Sequence, residues 1–111
     1  MRITISYTDT FDRQFKRYSK KFQSLKDDLK RFINELASEN SVNLGGGFYK
    51  YRLSVKSKNR GKGGGFRVIT FELLVSEEEK NITFLTIYDK SEQSSLTKSQ
   101  ITDILKKEGL L

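Results

Sequence analysis

The sequence predicts an α+β fold with the element order β, α, α, β, β, β, α, and three features predict it. Apolar residues first alternate, next recur at helical spacings, and then alternate again through three stretches separated by turn residues. A closing segment carries a full set of helix-start residues. At 111 residues the chain fits a single domain, 1–111, with a modest core.

Ile3, Ile5 and Tyr7 alternate with Arg2, Thr4 and Ser6, the period of a strand with one buried face. Thr8, Asp9 or Thr10 is placed to cap a helix in which Phe11, Phe15, Tyr18 and Phe22 recur at spacings of four, three and four. Ser24 with Asp27 and Asp28 restarts the pattern, and Leu25, Leu29, Phe32, Ile33 and Leu36 carry an apolar stripe to about Ser38. Two helices, or one broken between Ser19 and Gln23, are expected. Ser38 to Gly47 is polar, ends in three glycines and reads as a loop. Tyr49, Tyr51, Leu53 and Val55 then share one strand face, which puts Lys50 and Arg52 together on the other. Lys56 to Gly65 reads as a second loop. Phe66 to Val75 is a nearly unbroken apolar run, as in a central strand covered on both faces. Glu77, Glu78 and Glu79 form a tight acidic turn into Ile82 to Tyr88, rich in β-branched and aromatic residues, which makes a third consecutive antiparallel strand. Thr97 with Gln100 has capping-box spacing and Leu96 with Ile101 the staple positions, so a last helix runs from about Lys98 to Lys107 with Gly109 beyond it.

Charge is distributed unevenly over this frame. Of twenty-one Lys and Arg, seven lie between Ser41 and Phe71, a stretch without Asp or Glu, and the fourteen elsewhere balance the fourteen acids. The seven are Lys50, Arg52, Lys56, Lys58, Arg60, Lys62 and Arg67, and they flank or lie in the Gly-rich loop. Solubility is served by charges placed anywhere, so this concentration points to a polyanion, with nucleic acid the leading partner. Cys and His are absent, which removes thiol nucleophiles, disulfides, thiolate or imidazole metal sites and the usual neutral-pH general base. Chemistry here rests on Lys, Arg, Tyr or carboxylates. The acids sit mostly in the Glu77 to Glu79 turn and on helix surfaces, away from the basic stretch, so no metal and no cofactor are expected. No stretch has the length of a bilayer span, and Met1 to Ser19 mixes charged with apolar residues instead of forming a signal-peptide core. A cytoplasmic protein without a membrane partner is expected.

The run RGKGGGFRVI from Arg60 to Ile69, followed by TIYDK from Thr86 to Lys90 and LTKSQITDIL from Leu96 to Leu105, resembles the RelE/ParE superfamily of bacterial toxins, and within it the HigB-type branch. In that branch a strand with a Lys-x-Arg pair precedes a G-K-(S/G)-G-G-x-R-V-I loop and strand, and an I-Y-x-K-x-E element precedes a Leu-Thr-rich C-terminal helix. Here these are Lys50 with Arg52, Gly61 to Ile69, and Ile87 to Glu92. One departure follows Arg67, where Thr70 and Phe71 stand in place of the tyrosines frequent in the family. The resemblance implies a small curved antiparallel sheet packed against two N-terminal helices. It also implies the toxin of a type II toxin–antitoxin system, a metal-independent endoribonuclease that cuts messenger RNA in the ribosomal A site. Its partners would be a cognate antitoxin, in a hetero-oligomer, together with messenger and ribosomal RNA.

In such enzymes the ribose 2′-hydroxyl attacks its own phosphodiester, which sets three tasks: taking the 2′ proton, stabilising charge on phosphorus, and protonating the leaving 5′ oxygen. Arg67, with Arg52 behind it, offers planar fork donors for phosphate oxygens. Neighbouring cations disfavour the charged form of a lysine and favour ionised tyrosine, so Lys62, Lys90 or Tyr88 is open as the base, and the Tyr88 ring is also open to stacking on a nucleobase. Lys50, Arg52, Lys56, Lys58 and Arg60 are expected to bind RNA. Plainer roles stand beside these: Lys56 to Lys62 as a solvated hairpin loop, Arg67 as an ion-pair partner at the start of a buried strand, and Tyr88 as a core ring sharing the parity of Ile82 and Phe84. Two other functions fit the same frame, a ParE-like poison of DNA gyrase acting by binding and a non-catalytic basic RNA-binding module. A gyrase poison has no need for Arg67, Tyr88 and Lys90 to be gathered.

Overall fold

The structure, a computed structural model, describes residues 1–36, 40–58, 65–92 and 96–110. Strand β1 is Arg2–Tyr7, followed by helices α1, Asp9–Lys21, and α2, Leu25–Asn34. Strands β2, Ser41–Gly45, and β3, Phe48–Leu53, lead through a 3₁₀ turn at Lys56–Lys58 to β4, Phe66–Ser76, and β5, Glu79–Asp89; α3 is Lys98–Lys107. The strands form one sheet in the order β1-β5-β4-β3-β2, in which β1 runs parallel to β5 and every other pairing is antiparallel. The expected antiparallel set is therefore present as β3, β4 and β5; the expected first strand joins it in parallel at one edge, and an unexpected strand, β2, at the other.

The added strand β2 lies within the segment expected to be a loop. Its Val42 is exposed and only Leu44 packs inward, so a solvated edge strand leaves little apolar alternation to read. The turn into β3 needs glycine at Gly47, whose φ is +91° and where a Cβ would stand 3.1 Å from the Glu72 carbonyl oxygen.

Helix α1 starts at Thr8, whose hydroxyl accepts from the Phe11 amide at 2.9 Å and donates to the Leu85 carbonyl at 2.7 Å. Beyond the end of β1 the same helix covers the bare edge of β5. Gln14 Oε1 accepts from the Ile87 amide at 3.0 Å and the Thr86 hydroxyl at 2.8 Å, and the Tyr18 hydroxyl accepts from the Asp89 amide at 3.2 Å. Phe22 ends α1 and Leu25 opens α2, so the two-helix alternative holds. Their apolar faces close over Tyr51, Leu53, Phe66, Val68, Ile82, Phe84 and Ile87. Phe66 lies edge-on to both Tyr18 and Phe22, with centroids 4.8 and 5.3 Å away.

The opposite face carries Ile69, Leu85 and Tyr88, clustered with Ile101 and Leu105 of α3. Thr97 and Gln100 form the expected capping box of α3. At the far end of that helix, Glu108 Oε1 accepts from the Asp9 amide at 2.6 Å, so a carboxylate meets the N-terminus of α1. The long apolar run of β4 is covered on both faces only from Phe66 to Thr70, while Leu73, Leu74 and Val75 project beyond the layers. Among the described residues no helix is long and apolar enough to cross a membrane.

Candidate functional site

The register of the sheet decides which side chains meet. Arg52 of β3 lies opposite Arg67 of β4, and Arg67 lies opposite Tyr88 of β5, so three residues form one row across three strands. Lys50 lies opposite Ile69 on the same side, as its two-residue offset from Arg52 requires. Tyr88 joins this row because of an irregularity in β5. Ile69 pairs with Thr86 but Thr70 pairs with Phe84, which leaves Leu85 unmatched. That extra residue inverts the alternation, so Tyr88 falls on the α3 side, away from Ile82 and Phe84. The shared parity expected from the sequence does not hold.

The row is buried at its centre. Arg67 is 6% and Tyr88 3% exposed, whereas Arg52 is open to solvent. Arg67 donates from Nη1 to the Phe66 carbonyl at 3.2 Å, and among the described residues it has no carboxylate partner. The ion-pair role open to Arg67 in the sequence is thus not what these residues show. Among the described residues only the Tyr88 and Ser19 hydroxyls are buried without a hydrogen-bond partner. Buried polar groups are normally satisfied, so the unpaired phenol stands out beside a guanidinium that holds only a backbone carbonyl. Burial, with the Arg52 charge adding to it, lowers the pKa of Arg67. Burial raises that of Tyr88, and the opposing pull of Arg67 does not overcome it. The expectation that positive surroundings ionise Tyr88 is therefore corrected: desolvation wins, and the phenol is neutral.

The other cations separate into distinct settings. Lys58 is not presented to solvent. Its ammonium donates to Asp89 Oδ1 in an ion pair with side chains only 8% and 3% exposed, and lies 5.8 and 5.6 Å from the ring centroids of Phe22 and Phe66. Lys56 is exposed, with its amide donating to Asp28 Oδ2 at 3.1 Å. Ser57 beside it donates its amide to the Ser24 hydroxyl at 2.8 Å. Lys90 is exposed on the turn after β5, where its amide donates to the Gly65 carbonyl at 3.2 Å. Gly65 itself has φ +84°, and a Cβ there would stand 3.0 Å from the Leu53 carbonyl oxygen. Arg60 and Lys62 lie outside the described residues.

Asp89 carries no role in the sequence-based expectations, although an acid ending an apolar strand is a signal, since aspartate is almost never buried unpaired. Its Oδ1 also accepts from the Ser91 amide at 2.9 Å and the Ser91 hydroxyl at 2.8 Å. Burial pushes the Asp89 carboxyl up, but Lys58 and the Ser91 bonds together hold it below the usual carboxylate range. Among the described residues no group of three or more acids is gathered as a metal site would need.

A two-helix layer on one face of a small sheet, and a row of two arginines and a tyrosine on the other, define a basic α+β domain. Residues 10–109 match the family described as RelE toxin of RelE / RelB toxin-antitoxin system. The chain belongs to that family, and so is the toxin of a toxin–antitoxin pair with an antitoxin as its partner. No curated protein matches the chain closely enough to be named beside it.

Proposed function

We propose that the protein is a ribosome-dependent endoribonuclease of the HigB type that cleaves messenger RNA and thereby stops translation. Membership of the RelE toxin family supports a nuclease. The observation that carries the reading is the buried Arg67–Tyr88 couple of the cross-strand row, its phenol without a hydrogen-bond partner and its guanidinium without a carboxylate among the described residues. In the reaction, the ribose 2′ oxygen forms a bond to phosphorus as the bond to the 5′ oxygen breaks, leaving a 2′,3′-cyclic phosphate and a 5′-hydroxyl end. Arg67 binds the non-bridging oxygens as charge builds on them, and it does so from a dry site where such a contact is strongest. Arg52, exposed and adjacent, steers and holds the strand, with Lys50 beside it.

The neutral Tyr88 donates, to a phosphate oxygen or to the departing 5′ oxygen. Lys90 or Lys62 takes the 2′ proton. Tyr88 shares its cluster with Ile101 and Leu105, so RNA reaches the phenol only when that apolar cover yields. A requirement for the ribosome follows, because a chain without histidine and with its central groups covered is a poor nuclease for free RNA.

The test adds purified protein to a translating extract and maps messenger 5′ ends by primer extension, with Arg67→Met as control. New ends inside ribosome-occupied codons, lost in the variant and in the absence of ribosomes, are the expected result. Arrested growth with intact messages would contradict it and favour a poison of DNA gyrase. Binding of RNA without either effect would leave a non-catalytic module.

A further inference from the structure

We propose that the buried Lys58–Asp89 ion pair is a positioning device for the cleavage site, set behind the sheet rather than in contact with RNA. The proposal rests on the nuclease reading given above. Its starting point is place: Phe66 pairs with Asp89 in the rung next to Arg67 and Tyr88, so the pair stands one residue from both central groups and on the other face.

Asp89 gathers four things at that point. Its carboxylate holds the Lys58 ammonium and both Ser91 donors, while its amide is held by the Tyr18 hydroxyl. The Ser91 bonds, with the Glu92 amide donating to the Asp89 carbonyl at 3.0 Å, shape the turn that presents Lys90. One carboxylate thus ties the turn that presents Lys90, one of the lysines proposed to take the 2′ proton, to the 3₁₀ turn at Lys56–Lys58.

The pair also has little to offer RNA directly. Lys58 is enclosed by two aromatic rings and an acid, so a phosphate would have to displace Asp89 and leave that carboxylate buried and unpaired. A fixed pair of this kind contributes orientation instead, and misplacement of a reacting group by about 1 Å costs on the order of a hundredfold in rate.

The experiment compares wild type, Asp89→Asn, and the double variant Lys58→Met with Asp89→Asn, which removes both charges together. Thermal melting and ribosome-dependent cleavage, resolved into kcat and KM, are measured on each. The double variant is expected to melt close to wild type while kcat falls roughly tenfold to hundredfold and KM stays unchanged. Asp89→Asn is expected to lower kcat likewise without tightening KM. If the folded double variant keeps the wild-type kcat, the positioning role is overturned. If Asp89→Asn lowers KM, Lys58 is an RNA contact held in check by the acid, and the proposal is equally wrong. A wild-type protein that leaves messages intact overturns the nuclease reading, and this role with it.

Discussion

Two buried cations lie on opposite faces of the sheet within one rung of each other, and they are treated in opposite ways. Lys58, on the α1–α2 face, has a carboxylate against its ammonium and aromatic rings around it. Arg67, on the α3 face, has one backbone carbonyl and faces an unsatisfied phenol. The first arrangement is complete as a piece of folding. The second holds a phenol with no partner and a guanidinium with no carboxylate among the described residues, and under the proposed nuclease role these donors serve the phosphate as charge builds on it. The contrast separates structure from function within a single basic stretch, which net charge alone does not do.

The comparison breaks most visibly at Asp89. Asp89→Ala strands the Lys58 charge in the interior and is expected to cost about 3–5 kcal/mol in urea unfolding. Removing both charges should recover most of that loss, whereas a full loss in the double variant would show that the pair is not the source. The same link depends on pH. Because the folded Asp89 carboxyl is held below its ordinary value of 3.8, its contribution is fully present above that pH. It is lost as pH falls through the lowered value. The stability gap between wild type and Asp89→Asn should therefore narrow in acid, and a gap that widens would contradict the assignment.

Gly65 joins the two settings, since it precedes the Phe66–Arg67 segment and accepts the Lys90 amide. With its positive φ and the Leu53 carbonyl 3.0 Å from a new Cβ, Gly65→Ala is expected to destabilise by about 1–3 kcal/mol. An unchanged melting temperature would mean that this turn relaxes freely. Smaller still is the effect on folding of Tyr88→Phe. Deleting an unpaired buried hydroxyl should leave stability unchanged or raise it by up to about 1 kcal/mol, while cleavage falls. A clear loss of stability would reveal a partner for the phenol and weaken its functional assignment.

Much of this frame was legible in the chain. The spacing of Phe11, Phe15, Tyr18 and Phe22, the restart at Leu25 and the capping box at Thr97 each report a local rule, and α1, α2 and α3 follow them. The co-facial placement of Lys50 and Arg52 is equally local, because strand parity needs no partner. What was not legible depends on register and long-range contact. The unmatched Leu85 alters no propensity, yet it carries Tyr88 from one face to the other. Nothing in the sequence around Lys58 points to an acid 31 residues away, so an enclosed lysine and a solvated one looked alike. Strand β2 is hidden in the sequence for a third reason: an edge strand with one inward residue has almost no periodicity.

The most direct test of the central claim measures folding stability and ribosome-dependent cleavage on one variant, Arg67→Met, which keeps most of the side chain's packing. Stability equal to or above wild type, with cleavage reduced at least about a hundredfold, is the predicted result, since the guanidinium has no carboxylate partner among the described residues and under the proposed function acts at the phosphate. Cleavage that persists, or a fold weakened by several kcal/mol, would contradict the claim and make Arg67 a structural residue.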